Sequence, residues 1–149
     1  MTARAASLRG HTRGAASPER FSEWYSRNRA RSRALFDLIT DEAYYSRPID
    51  LRHPIVFYEG HLPAFSFNTL VKRGLGGPSV DAGLEALFAR GIDPSEDQTG
   101  RSTAHQWPSR DTVRQFAAEA DRRVCAALER EDLDRPGDPL LSPPSRVVR

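Results

Sequence analysis

Apolar side chains recur at spacings of three and four residues in several separate segments of the chain. The longest mostly apolar run covers residues 53–73, with Pro54 near its start and Gly74 directly after it. Proline suits the first turn of a helix, because the N–H that it lacks would have no partner there, and glycine commonly ends helices. The pattern predicts a helix over residues 54–73, kinked at Pro63, which cannot donate to the carbonyl four residues earlier.

Three further segments have helical patterns. A serine, a proline and an acid at residues 17–19 predict the start of a first helix. A short helix is predicted after Ser79 and ends by Gly91, and a long amphipathic helix is capped by residues 107–110. Residues 44–51 are predicted as an ordered loop, because Pro48 disfavours helix at the residue before it. Together these elements predict an all-α fold.

The first and last of these helices each have an apolar stripe that we expect to face the core. The stripe predicted for the first helix contains Phe21, Trp24, Tyr25, Leu35, Phe36, Leu38 and Ile39. The stripe of the last helix contains Val113, Phe116, Ala117, Ala120, Val124, Ala127 and Leu128. The arginines of the first helix, at positions 27, 29, 31 and 33, are interpreted as a solvated surface, since alternate residues of a helix point in different directions.

Composition divides the chain into three parts. Residues 1–16 contain arginines but no acids, and we expect a disordered N-terminal extension. Residues 17–133 form the predicted helical domain, which includes a mobile polar loop over residues 93–106. Residues 134–149 contain four prolines and no apolar period, which predicts a disordered, proline-rich tail.

Charge and hydropathy exclude several classes of partner. A formal net charge of +2 is too small to indicate nucleic-acid binding, and no apolar run approaches the roughly 18 residues that a membrane span needs. Cys125 is the single cysteine, which excludes internal disulfides and zinc sites made of several cysteines. Because a lone cysteine fits a reducing compartment, and no signal peptide is visible, we expect a cytoplasmic protein.

The candidate for chemistry is His61, which shares one face of the predicted central helix with Phe57, Ala64, Phe65 and Asn68. An imidazole on such a face must be hydrogen-bonded or ligated, because leaving it unpaired costs on the order of a few kcal/mol. A hydrogen-bonded core histidine is the favoured interpretation from the residues alone, and a metal ligand is the alternative. No catalytic residue is assigned.

The same segment carries a resemblance. Residues 44–49, Tyr-Tyr-Ser-Arg-Pro-Ile, and residues 52–65, which run from Arg-His-Pro through Gly-His to Ala-Phe, are similar to the N-terminal DinB-like domain of ergothioneine-type sulfoxide synthases. These are non-haem iron oxidoreductases, and selenoneine synthases are close relatives. The resemblance extends from about Arg31 to Leu133. It implies a DinB-like four-helix bundle with His61 at the position of the first iron ligand.

The chain departs from that family after Leu133. The family continues with a helix bearing a His-x-x-x-His pair, which completes a three-histidine Fe(II) site, and then with a catalytic domain. The substrates implied are a trimethylated histidine and a thiol or selenosugar donor. Here the remaining histidines are His11, His53 and His105, and no two histidines are four residues apart. We therefore expect an incomplete bundle, truncated by a reading-frame slip or by divergence, which binds no iron by itself and is inactive alone.

Two alternatives remain open at this stage. One is a metal-free helical interaction module, in which an unburied apolar face, including Val113, Phe116 and Val124, is covered by a second copy of the chain or by a missing C-terminal domain. The other is a different DinB-like, thiol-dependent metalloenzyme, which would also need the missing histidines.

Overall fold

The computed structural model describes residues 18–49, 52–91 and 107–130. These parts form five α-helices and one π-helical segment, and they contain no strand, which confirms the all-α prediction. The N-terminal extension, the loop at 93–106 and the tail at 134–149 lie outside the described residues. The elements are α1 (Pro18–Phe36), α2 (Asp41–Tyr44), α3 (Ile55–Ser66), the π-helical segment (Phe67–Gly74), α4 (Ala82–Phe88) and α5 (Arg110–Arg130).

The predicted central helix is present but changes its winding. The chain is α-helical to Ser66 and continues as a π-helix to Gly74, so the helical stretch nearly coincides with the predicted one. Pro63 lies inside α3 and is fully buried. The end is closed by Gly76, whose φ of 67° is accessible to glycine at little cost, and its N–H donates to the Lys72 carbonyl at 3.0 Å. Short π-helical segments within α-helices frequently lie at functional sites.

Helices α4 and α5 start where the sequence predicts, and each start has a capping side chain. The Asp81 carboxylate accepts from the backbone N–H of Leu84 at 2.9 Å and starts α4. The Ser109 hydroxyl accepts from the N–H of Thr112 at 3.2 Å and precedes α5. The prediction of a loop over residues 44–51 is partly wrong, because Tyr44 belongs to the single helical turn α2, which Thr40 caps.

The core lies where α3, the π-helical segment and α4 pack against α5. Its α5 side chains include Val113, Phe116 and Val124, which are almost completely buried. The prediction that these three are left open for a partner is therefore wrong: the chain itself covers them. Their main apolar partners are Tyr44, Val56, Phe57, Ala64, Phe67, Val71 and Phe88.

Helix α1 packs in a way that the sequence does not predict. Of its predicted apolar stripe, Phe21, Trp24 and Leu35 are exposed, and Trp24 is 60% accessible. The side that faces α5 is polar: Arg29 is only 6% exposed and donates from Nε to both carboxylate oxygens of Asp121, at 2.8 and 3.1 Å. The interpretation of Arg29 as a solvated residue is wrong, because its partner lies on a helix that is distant in the sequence.

Further polar contacts fasten α1 to the same helix. The Tyr25 hydroxyl donates to Asp121 at 2.7 Å, and Ser22 donates to Glu129 at 2.7 Å. Cys125 is half-buried, with Sγ 3.3 Å from the Ser26 hydroxyl. The α1–α5 interface is therefore held largely by hydrogen bonds and one buried ion pair. No helix among the described residues is both long and apolar enough to cross a membrane.

Candidate functional site

His61 lies in the middle of α3 and reaches across to the end of α4. Its Nδ1 is 2.8 Å from the carbonyl oxygen of Phe88, the last residue of α4. Because a carbonyl oxygen only accepts hydrogen bonds, Nδ1 carries a proton, and Nε2 of the neutral ring keeps its lone pair. The last carbonyls of a helix lack partners within the helix, so this contact also completes the C-terminus of α4. The sequence prediction that His61 must be paired is confirmed.

Four aromatic rings lie in a row beside this contact, on one face of α3 and of the residues just before it. His53, Phe57, His61 and Phe65 follow at intervals of four residues, which places them one above the other. Successive ring centroids are 4.1, 5.0 and 6.1 Å apart. Phe57 therefore separates the two histidines. His53 does not join His61 at a common point, and the ring of His61 is held on one side by the buried phenylalanine.

His53 is buried and has a different role. Its Nε2 is 3.0 Å from the Gly91 carbonyl oxygen, three residues beyond the carbonyl that His61 contacts. Burial lowers the pKa of His53, and the nearby Arg47 and Arg90 lower it further, whereas the Gly91 carbonyl acts in the opposite direction. His53 is therefore neutral at neutral pH. It anchors the chain after α4 to the start of α3.

Gly60, the residue before His61, permits the close approach of α4. A Cβ built on Gly60 overlaps the ring of Phe88, which lies directly against the α3 backbone and is fully buried. The same residue thus packs its ring on Gly60 and offers its carbonyl to His61. A glycine directly before the histidine is the sequence signal that indicates this close contact between two helices.

A cleft of about 270 Å³ opens beside His61. One wall is formed by α3 and the π-helical segment, and the other by the end of α4 and the residues after it. The described residues that line it are aromatic, polar or basic, and none of them is acidic: they include His61, Phe65, Asn68, Thr69, Arg73, Phe88 and Arg90. The basic residues of the cleft are not part of the predicted site, because Arg73 and Arg90 line the same cleft only when α4 folds back on α3.

The described residues contain no group of three or more histidine, cysteine or acidic side chains that could hold a metal ion. His61, the candidate metal ligand of the sequence analysis, belongs to no such group. His11 and His105 lie outside it. The arrangement can present one imidazole nitrogen at a cleft, with the ring orientation set by the Phe88 carbonyl. Outer hydrogen bonds of this kind commonly orient histidines that bind metals.

Comparison with known proteins agrees with the helical architecture. The DinB superfamily matches residues 25–148. Ergothioneine biosynthesis protein 1 of Neurospora crassa is 35% identical over 85 residues, which cover 50% of this chain and 10% of that protein. The protein of the same name from Schizosaccharomyces pombe is 29% identical over 102 residues, 62% of this chain and 13% of its own length. The chain thus spans about a tenth of the curated relatives it matches, and it belongs to the DinB superfamily.

Proposed function

We propose that this chain is the N-terminal DinB-like part of an Fe(II)- and O2-dependent enzyme that forms C–S or C–Se bonds in ergothioneine or selenoneine biosynthesis. The names of the two fungal relatives support the ergothioneine assignment. The observation that carries it is the bond from His61 Nδ1 to the Phe88 carbonyl, which leaves Nε2 as a ligand atom at an open cleft.

The described residues do not by themselves fit an iron centre. Ferrous iron in oxygen-activating enzymes is commonly held by three protein ligands on one face of the ion. His61 supplies one such position, and no group of three or more histidine, cysteine or acidic side chains that could hold an ion forms within the described parts. The remaining ligands, and the residues that contact a trimethylated histidine and a thiol or selenosugar donor, belong to parts outside the described residues.

In this proposal the described part of the chain has a positioning function. The Phe88 carbonyl fixes the tautomer and orientation of His61, and Phe57 stacks on one face of its ring at 5.0 Å. Gly60 allows α4 to lie close enough for the 2.8 Å hydrogen bond. The ligand nitrogen is therefore held in place before any ion arrives, which lowers the entropic cost of assembling a site.

A chimaera tests the assignment of His61. Residues 25–130 replace the matching segment of the Neurospora crassa relative, and ergothioneine production is measured in cells that lack the native protein. We expect His61→Ala to abolish production and His61→Gln not to restore it, although both chimaeras accumulate. His53→Gln is the matched control, because it alters a buried histidine of the same stack, and it should retain production. Production that survives His61→Ala would contradict the proposal.

The isolated chain provides a second check. Supplied with Fe(II), oxygen, a trimethylated histidine and a thiol, it should form no product faster than free iron does. Turnover well above that background would show that the chain carries a complete centre and would refute the assignment of the remaining ligands to other parts.

An interaction module without metal is the second candidate. It is favoured by a groove of about 240 Å³ between α1 and α3, which is bordered by the exposed rings of Phe21, Trp24 and Phe65. Light scattering after size-exclusion chromatography separates the two cases. A discrete dimer that Trp24→Ser dissociates favours the module, whereas a species that Trp24→Ser leaves unchanged argues against it.

A further inference from the structure

The three long helices leave one side of the bundle open. Helix α5 packs extensively on both α1 and α3, whereas α1 and α3 make few contacts with each other. The groove of about 240 Å³ lies on that open side, between α1 and α3. Val124 and Leu128 of α5 also line it, so three helices contribute to one groove.

The border of this groove is aromatic and exposed. Trp24 is 60% accessible and Phe65 is 62% accessible, and Phe21 is also exposed. The described residues that line the groove include no acid, lysine or arginine. Covering an aromatic side chain is favourable, because each can bury on the order of 150–250 Å². The groove therefore suits an apolar segment without charge.

The chain that follows α5 starts at one end of this groove. Helix α5 ends at Arg130, two residues after Leu128. The Ser22 hydroxyl donates to Glu129 at 2.7 Å, which places the end of α5 beside the start of α1. Ten residues of extended chain span up to about 33 Å, whereas one turn of helix rises only about 5.4 Å. The tail at 134–149 is therefore long enough to reach along the groove.

The tail contains a segment that matches the groove in chemistry. Its longest stretch without a charged residue is 139–145, in which Leu140 and Leu141 lie between Pro139 and Pro143. A proline favours an extended conformation at the residue before it. Proline-rich extended segments bind aromatic-lined grooves at low entropic cost, because they are stiff before they bind. A groove of this size takes one or two side chains of such a segment and not a whole helix.

We propose that residues 139–144 of the chain's own tail lie extended in this groove, with their two leucines packed between the aromatic rings of α1 and α3. The tail is tethered to α5, so its effective concentration at the groove is high and weak contacts are enough to hold it. The family match continues to residue 148 and includes this segment. The inference is independent of whether His61 ligates iron.

Disulfide trapping in the full chain tests where the tail lies. Thr69 lines the groove, and Ser142 directly follows the two leucines, so Thr69→Cys and Ser142→Cys place one thiol on each side of the proposed contact. Cys125→Ser removes the native thiol. The chain is oxidised mildly, and the link is measured by mass spectrometry after proteolysis. We expect it to form within single chains, at a rate independent of protein concentration.

Ala126→Cys, in place of Thr69→Cys, is the matched control. Ala126 lines a different cleft beside the turn that follows the π-helical segment, and it is closer to Ser142 along the chain than Thr69 is. A tail without a docking site would link to position 126 at least as fast as to position 69. Rates are normalised by the reaction of each thiol with a small reagent. We expect the link at position 69 to form about tenfold faster, because docking raises the local concentration only at the groove.

Substitutions in the tail assign the contact to its leucines. Leu140→Ser combined with Leu141→Ser should remove most of the advantage of position 69, because the groove no longer receives apolar side chains. Val147→Ser combined with Val148→Ser is the matched control outside the segment and should leave the advantage unchanged.

Fluorescence of Trp24 provides a second measurement without added thiols. In a chain with Trp107→Phe, Trp24 is the remaining tryptophan. The double leucine substitution should then shift its emission to longer wavelength and increase its quenching by acrylamide, because the ring loses its cover. The double valine substitution should change neither.

Several results would overturn the proposal. Equal normalised rates at positions 69 and 126 would mean that the tail has no preferred place. A link that joins two chains and increases with protein concentration would mean that a second copy occupies the groove. Trapping and Trp24 emission that are unaffected by the double leucine substitution would show that these side chains do not enter the groove.

Discussion

Gly60 illustrates how one missing methyl group sets the distance between two helices. A side chain there would meet the Phe88 ring, which is fully buried and has no room to move away. We expect Gly60→Ala to destabilise the fold by about 1–3 kcal/mol, the usual cost of overpacking. Urea denaturation followed by circular dichroism measures the change in the free energy of unfolding.

Gly83 is the matched control for that substitution. It lies in α4 and is exposed, and a Cβ there meets one atom, the Asp81 carboxylate oxygen at 3.3 Å that also accepts from the N–H of Leu84. Gly83→Ala should therefore cost less stability than Gly60→Ala, because an exposed carboxylate can shift more readily than a buried ring and alanine restricts the unfolded chain. If both substitutions changed stability equally, the close contact between Gly60 and Phe88 would not be important for stability.

His53 makes stability dependent on pH. Burial lowers its pKa below the usual value of 6.5, so the folded state binds a proton less readily than the unfolded state. Its contribution is complete above the unfolded pKa and is lost as the pH falls through the lower folded pKa. We expect the melting temperature to fall as the pH drops below about 6.5, and His53→Gln to reduce this slope. An unchanged slope in the variant would exclude His53 as the cause.

At the scale of elements, the α1–α5 interface depends on Asp121. Its carboxylate accepts from Arg29 and from the Tyr25 hydroxyl, and burial, together with the negative charge of Asp121, raises the pKa of Tyr25. Asp121→Asn keeps the shape but leaves the buried guanidinium of Arg29 without its counter-charge. Removing one partner of a buried pair costs about 3–5 kcal/mol, and we expect a loss near the lower end of this range.

Glu119→Gln is the matched control on the same helix. Glu119 pairs with Arg122 and Arg123 on the surface of α5, so its substitution should have a much smaller effect on the denaturation midpoint. A larger effect in this control than in Asp121→Asn would mean that the buried pair does not fasten α1 to the bundle.

Local signals predicted the positions of the elements better than their orientations. Pro18, Asp81 and Ser109 mark helix starts because caps and first-turn prolines act within a few residues. The prediction of which side of α1 faces the core was wrong. Its aromatic residues suggest an apolar inward side, but the side that packs against α5 is polar. The partner of Arg29 lies 92 residues away, beyond the reach of any local pattern.

The same limit applies to the candidate site. The position of His61 on an apolar face predicted that it is either hydrogen-bonded or ligated, and the structure provides the bond. The choice of partner could not be predicted, because the Phe88 carbonyl is 27 residues away and is available only at the end of a separate helix. The basic side of the cleft was missed for the same reason, since Arg73 and Arg90 are brought together by the packing of α4.

At the scale of the whole molecule, the fold consists of two parts held by different forces. Helices α3, α4 and α5 share an apolar core, whereas α1 joins α5 mainly through charged and hydroxyl groups. An interface held in this way buries less apolar surface than the core does, so α1 can open while the core stays packed. We therefore expect amide hydrogens of α1 to exchange with solvent faster than those of α3, by hydrogen-exchange mass spectrometry.

Ionic strength tests that expectation. Raising the salt concentration to about 1 M should change exchange in α1 only slightly, because the Arg29–Asp121 pair is buried and a buried pair is screened much less than a surface pair. Uniform exchange across α1 and α3 at both salt concentrations would contradict the division into two parts.

The polar face of α1 also determines what the molecule reveals when it opens. If α1 swings away, Val124 and Leu128 on α5 lose the covering that Tyr25 provides, and the groove bordered by Phe65 widens into a continuous apolar strip. Opening thus exposes an apolar surface that can self-associate, while the core stays folded. The chain would then self-associate in proportion to how often its first helix detaches.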